Sequence, residues 1–168
     1  MSPKKTNLSE VGKITIKNAS HLKIGIIVSE WNSEITNALR DGAINTLTGS
    51  GIKKSSILVE YVPGSFELPI GAQYIIENTE VDAVICLGCV IQGETRHFEF
   101  ICQSVSQNIS RVSLDYNIPV IFGVLTTNTQ EQALARAGGK HGNKGVEAAA
   151  TALKMIQLRD RLFPSQNS

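Results

Sequence analysis

A chain of 168 residues, 42% hydrophobic and 18% charged, suits one domain with a sizeable core. Its formal net charge of +1 provides no basic stripe for nucleic acid or an anionic membrane, and no apolar run approaches the roughly 20 residues of a membrane span. Three cysteines, an odd number, make no disulfide framework, and the polar start M-S-P-K-K-T-N-L-S-E lacks the apolar stretch of a signal peptide, so a cytoplasmic protein is expected.

In chain order, residues 1–12 and 164–168 are polar and expected to be flexible tails around a single domain over 13–163. Lys13 to Lys17 (K-I-T-I-K) alternates polar and apolar, the pattern of an edge strand that pairs with a neighbouring subunit. Leu22 to Val28 is a short apolar run, as in a buried parallel strand. From Ser33, expected as the N-cap, Ile35, Leu39, Ala43 and Leu47 recur every fourth residue, and Gly49-Ser50-Gly51 ends that helix. Ile57 to Val62 is the next strand, followed by P-G-S-F-E-L-P and a helix to about Asn78. Asp82 to Leu87 is a third strand. The helix after it carries Phe98, Ile101, Val105, Ile109, Val112 and Tyr116 at steps of three and four. Pro119 to Leu125 is the fourth strand. Thr126-Thr127-Asn128-Thr129 supplies cap residues for a short helix to about Ala137, and a final helix runs from Gly145 to about Leu162.

Strand–helix alternation throughout predicts an α/β fold with helices on both faces of a parallel sheet. In such a sheet, ligands bind beyond the carboxyl ends of the strands. That points to the loops Ser29–Asn32, Pro63–Pro69, Gly88–His97, Thr126–Asn128 and Gly138–Lys144.

Three patterns compete in these loops. Cys86-Leu87-Gly88-Cys89 is a CxxC, but Cys86 lies within an apolar strand and Cys102 within a helix, so the cysteines read as core residues. His97-Phe98-Glu99 matches the start of a zinc-deaminase signature, yet the cysteine pair precedes the histidine instead of coming after it, and that reading is rejected. Gly138 to Gly145 lacks the G-x-x-x-x-G-K-[ST] of a nucleotide P-loop, although an anion contact by Arg136 or a lysine stays open. His21 reads as structural and His141 as a weaker candidate. His97, at a helix start after a strand-end loop, is the candidate proton carrier, since imidazole exchanges protons near neutral pH.

Taken together, V-S-E-W-N at 28–32, P-G-S-F-E-L-P at 63–69, G-C-V-I-Q-G-E-T-R-H-F-E at 88–99, F-G-V-L-T-T-N-T at 122–129 and R-A-G-G-K-H-G-N-K-G at 136–145 resemble the lumazine synthases. The resemblance covers roughly Leu22 to Leu162. It implies a three-layer α/β/α sandwich around a mostly parallel four-stranded sheet of flavodoxin-like order. It also implies condensation of 5-amino-6-ribitylaminouracil with 3,4-dihydroxy-2-butanone 4-phosphate, without metal or other cofactor. By motif match, Trp31 stacks on the pyrimidine. Asn32 and the Ser65-Phe66 backbone contact the ribityl chain, and Glu67 accepts its hydroxyls. Gly93-Glu94-Thr95 and Arg136 bind phosphate, and His97 is the general acid/base. Lys144 lies near the polar edge of the pyrimidine. Val90, Ile91 and Phe122 line the pocket, with Phe122 coming from an adjacent subunit. The implied partners are small-molecule substrates and other copies of the chain in a homopentamer, with a sixty-subunit icosahedral shell permitted. The alternatives are a weakly catalytic or non-catalytic member binding flavin or lumazine, and a flavodoxin-like nucleotide module. The latter lacks a phosphate loop in S-E-W-N-S.

Overall fold

Four apolar runs become four parallel strands in the computed structural model, which describes residues 7, 9–12, 14–16 and 19–164. They are β1 (Ile24–Ser29), β2 (Ile57–Val62), β3 (Ala83–Ile91) and β4 (Val120–Thr127). The sheet order is β2-β1-β3-β4, every neighbouring pair parallel, so all four carboxyl ends open on one edge of the sheet. The helices are α1 (Ser33–Gly49), α2 (Leu68–Asn78), α3 (His97–Tyr116), the short α4 (Gln130–Leu134) and α5 (Lys144–Leu162).

The alternation of side chains along β1 separates two cores. Ile24, Ile26 and Val28 point toward α1 and α5, joined there by Leu39, Leu47, Ala149 and Leu153. Ile27 points the other way, toward α2 and α3, with Ala72, Ile75, Val105 and Ile109. Both sheet faces are therefore covered, giving the three layers the strand–helix rhythm predicts. Leu39 and Leu47 are fully buried. Truncating either to alanine would cost about 2–5 kcal/mol, the range for a core leucine that leaves a cavity.

Several boundaries differ from expectation. The first helix is capped by Asn32 instead of Ser33; Asn32 takes the left-handed conformation at φ 60°, which asparagine tolerates, and Ser33 is already helical. β3 continues through Gly88 to Ile91 because β4 runs alongside as far as Thr127. The short helix stops at Leu134, and the segment to Ala137 instead leads into an antiparallel pair, β5 (Ala137–Gly139) and β6 (Gly142–Asn143). Of the expected edge strand, residues 13 and 17 lie outside the described residues, while 14–16 form no strand within the chain. Ile14 and Ile16 instead pack against the α1/α5 core. The tail residues 1–6, 8 and 165–168 also lie outside the described residues.

Candidate active site

The pairing of β1 with β2 does not stop at the last strand residues. Glu30 N donates to Val62 O at 2.8 Å and Trp31 N to Pro63 O at 3.1 Å, so the tryptophan backbone is held by the same ladder as the strands. Asn32 then turns the chain into α1 and donates from Nδ2 to Cys89 O at 3.1 Å, tying the end of β1 to that of β3. This turn leaves Trp31 71% exposed, an unusual position for an indole unless its face has a partner to meet.

Residues Ser65–Glu67 form a single 3-10 turn between β2 and α2. Its geometry is closed by Glu67, whose Oε2 accepts the Gly64 N–H at 3.0 Å; the second carboxylate oxygen has no partner among the described residues. Ser65 is buried and packs its Oγ against Gly88, where an added Cβ would lie 2.5 Å away. A side chain at position 88 would therefore displace the whole turn.

After β3, Gly93, Glu94 and Thr95 are exposed and donate no backbone hydrogen bond to any described residue. They lead into α3, whose first residue is His97. Unpaired N–H groups ahead of a helix start suit an anion, since the helix dipole adds to their own. Thr95 Oγ1 accepts the His97 N–H at 3.4 Å. Arg96 is engaged elsewhere, paired with Glu99 at 3.1 Å and lying over the Phe100 ring.

These loops enclose one cleft of about 610 Å³, within the range of small-molecule sites. Trp31, Asn32, Ser65, Phe66, Glu67, Val90, Ile91 and His97 all line it, eight of the residues singled out from the sequence. Gly93, Glu94 and Thr95 are not part of its lining. Phe122, Arg136 and Lys144 are not either. They line a separate cavity of about 340 Å³ beside β4, together with Thr127 and Gln132, and the two cavities share no residue. There, Arg136 Nη1 donates to Gln132 O at 2.9 Å, and Lys144 pairs with Glu147 at 2.7 Å. Pro63 and Ile101 also line the first cleft, and Gln132 and Thr127 the second, without having stood out in the sequence. Pro63 and Thr127 are signalled only by their place at strand ends and Ile101 by the inward stripe of α3, while Gln132 of α4 carries no signal.

Cys86 and Cys89 are core residues, as expected, whereas Cys102 on α3 is only half-buried. Burial pushes the Cys86 thiol far up and that of Cys89 to about 11, so neither forms thiolate near neutral pH. Among the described residues, no three His, Cys, Asp or Glu side chains come together as a metal site, and no helix is long and apolar enough to cross a membrane.

Comparison with known proteins gives one consistent result. Residues 21–160 match the family model described as 6,7-dimethyl-8-ribityllumazine synthase. The chain is 58% identical over 156 residues to the 6,7-dimethyl-8-ribityllumazine synthase of Cytophaga hutchinsonii, covering 93% of this chain and 98% of that one. It is 52% identical to the protein of that name in Parabacteroides distasonis, over 90% of this chain and 95% of the relative. The corresponding protein of Porphyromonas gingivalis is 53% identical, over 90% and 94%.

Proposed function

The chain belongs to the 6,7-dimethyl-8-ribityllumazine synthase family, and from that membership we propose how its residues share out the reaction. It is a transferase that condenses 5-amino-6-(D-ribitylamino)uracil with 3,4-dihydroxy-2-butanone 4-phosphate, releasing phosphate and water, in riboflavin biosynthesis. The amine condenses with the ketone to an imine, phosphate leaves, and the ribitylamino nitrogen closes the ring with loss of water. Each step moves protons and needs two substrates held together. Positioning of that kind contributes roughly 7–11 kcal/mol at best.

Trp31 stacks on the pyrimidine, with Val90 and Ile91 on the other side of the ring. Asn32, the Ser65-Phe66 backbone and the free oxygen of Glu67 hold the ribityl chain. The Glu67 contact is charge-assisted, and the carboxylate is already oriented by Gly64. The N–H groups of Gly93, Glu94 and Thr95 receive the phosphate, and His97, beside them, carries protons between the reacting nitrogen and oxygen atoms. The observation that supports this assignment most is that Trp31, Glu67 and His97 line one cleft.

Phe122, Arg136 and Lys144 complete the site from a neighbouring subunit. Their separate cavity in the isolated chain supports this: a pocket split into two halves on one chain closes when copies meet in a ring. Arg136 then reaches the phosphate with a bidentate fork, and Lys144 the polar edge of the pyrimidine. Residues 13–163 act as one domain in a cytoplasmic homopentamer.

The direct test mixes purified protein with both substrates and follows the fluorescent lumazine. A rate no faster than the spontaneous condensation would sink the proposal.

A further inference from the structure

The half-site carrying Arg136 and Lys144 stands on a hairpin of very short strands, and such a loop holds a charged side chain in place only if something fixes it. The fixing group is Asn143. Its Oδ1 accepts the Gly145 N–H at 2.8 Å and the Val146 N–H at 3.3 Å, capping α5. Its Nδ2 reaches across to α1 and donates to Ala38 O at 3.0 Å. The backbone N–H of Asn143 donates to Ser9 Oγ at 2.9 Å, so three groups of one residue tie three segments together.

Gly42 makes room for this amide, and Gly145 lets the α1 backbone approach beside it. A Cβ at Gly42 of α1 would lie 2.6 Å from Asn143 Oδ1, and one at Gly145 only 1.8 Å from Leu39 O. α1 and the start of α5 therefore meet backbone to backbone, and the amide sits in the notch. The notch adjoins both cationic residues of the half-site. Lys144 is the first residue of α5, and its N–H donates to Arg136 O at 2.9 Å. Ala137, next to Arg136, pairs with Asn143 itself.

We propose that Asn143 is a positioning residue: its side-chain amide, seated in the Gly42 notch, sets where Arg136 and Lys144 stand. This deepens the synthase reading and rests on it. Capping and positioning use different atoms of the amide, so they are separable by substitution. Asn143→Asp keeps the acceptor for Gly145 and Val146 but loses the donor to Ala38, and it sets a carboxylate oxygen against that carbonyl. Gly42→Ala disturbs the notch from the other side while improving the intrinsic helix propensity of α1.

The experiment measures steady-state lumazine formation and thermal midpoint for both variants, alone and combined with Arg136→Ala. The expected result is a KM for the butanone phosphate raised about tenfold in Asn143→Asp with kcat changed less, measured well below a thermal midpoint that falls, because a carboxylate facing the Ala38 carbonyl in a buried notch costs stability. Gly42→Ala should show the same division, which covers the case in which Asn143→Asp fails to fold. In the Arg136→Ala background either substitution should add little to the KM for the butanone phosphate, because the phosphate-binding group it positions is already gone; only an effect through Lys144 on the pyrimidine substrate should remain. Unchanged KM in the folded variants, or a loss that adds in full to that of Arg136→Ala, overturns the positioning role. If the wild-type chain itself gives no acceleration, the synthase reading fails first, which is a different outcome from an active enzyme indifferent to Asn143.

Discussion

Trp31 and His97 line the same cleft, and under the proposed division of roles they should affect different parts of the kinetics. The indole is mostly exposed, so its removal leaves folding within about 0.5 kcal/mol, as for other surface changes. Its stacking contribution of roughly 0.5–1.5 kcal/mol should appear in binding. Trp31→Ala is therefore expected to raise KM for the pyrimidine substrate by about two- to tenfold with the thermal midpoint unchanged, measured by steady-state titration of that substrate. A midpoint drop without a KM change would make Trp31 structural. His97→Ala should do the reverse, lowering kcat by at most about 100-fold, the low end for acid–base help, because orientation supplies much of the rest. Cys89 governs stability instead of turnover. Its thiol ionises at about 11 when folded, raised by burial, against a free-thiol value near 8.5. The folded state keeps this proton while the unfolded chain loses it, so the contribution of Cys89 is full below pH ~8.5 and is lost as pH rises toward about 11, with Cys86, raised further by burial, acting in the same direction. The thermal midpoint should fall across that window, and Cys89→Ala should make the fall shallower. An identical slope in the variant would show that other groups cause it.

Among the elements, the end of the sheet opposite the site is closed by an ion pair. Arg159 of α5 donates to Asp82 Oδ1 at 3.0 Å, partly shielded from water, and Asp82 Oδ2 accepts the Lys23 N–H at 2.9 Å in an exposed bond. One carboxylate thus joins the last helix to the starts of β1 and β3. Asp82→Ala loses both contacts; Arg159→Ala loses one of them together with a more exposed pairing to Asp160, which contributes little. We expect the aspartate change to cost about 1–3 kcal/mol and the arginine change about half that, since hydrogen bonds to charged groups lie in that range. Urea denaturation at fixed chain concentration checks the order; equal costs would mean the Lys23 bond contributes nothing. Much of this layer was readable in advance, because buried parallel strands are continuous apolar runs and amphipathic helices repeat every three or four residues. The strand Ile57–Val62 and the helix ends at Asn78 and Leu162 come from that rhythm. What escaped it depends on contacts between distant segments. Gly88 reads as a loop residue but sits in a strand, because β4 continues beside it and Ser65 needs the space a side chain would take. Asn32 reads as a ligand contact, and the fold adds a second role that the sequence does not announce, one amide N–H tying the end of β1 to Cys89 O of β3. The hairpin β5–β6 has no periodicity to announce it, and Asn143 shows its importance only once α1 is seen to leave a gap for it.

At the scale of the whole molecule, the proposed homopentamer would make an isolated chain an incomplete object. Phe66, Ile70, Tyr74, Phe100 and Leu114 stand exposed on the α2/α3 side, Leu114 at 79%, an apolar surface that lone soluble chains seldom leave uncovered. The site residues are split in the same sense, with Trp31, Glu67 and His97 around one cavity and Phe122, Arg136 and Lys144 around another. If each working site takes its first half from one subunit and its second from the next, two differently damaged chains can repair one another. A subunit carrying Arg136→Ala still offers an intact first half, and one carrying His97→Ala an intact second half. Mixed at random in equal amounts by co-expression, they should form rings in which about one site in four is intact, the product of two independent halves. The preparation should therefore recover roughly a quarter of the wild-type rate, well above either variant alone. If both halves belonged to one chain, every site would carry a lesion and mixing would recover nothing. The size of the assembly in solution completes the test, since a ring of five carries five such sites and a monomer none.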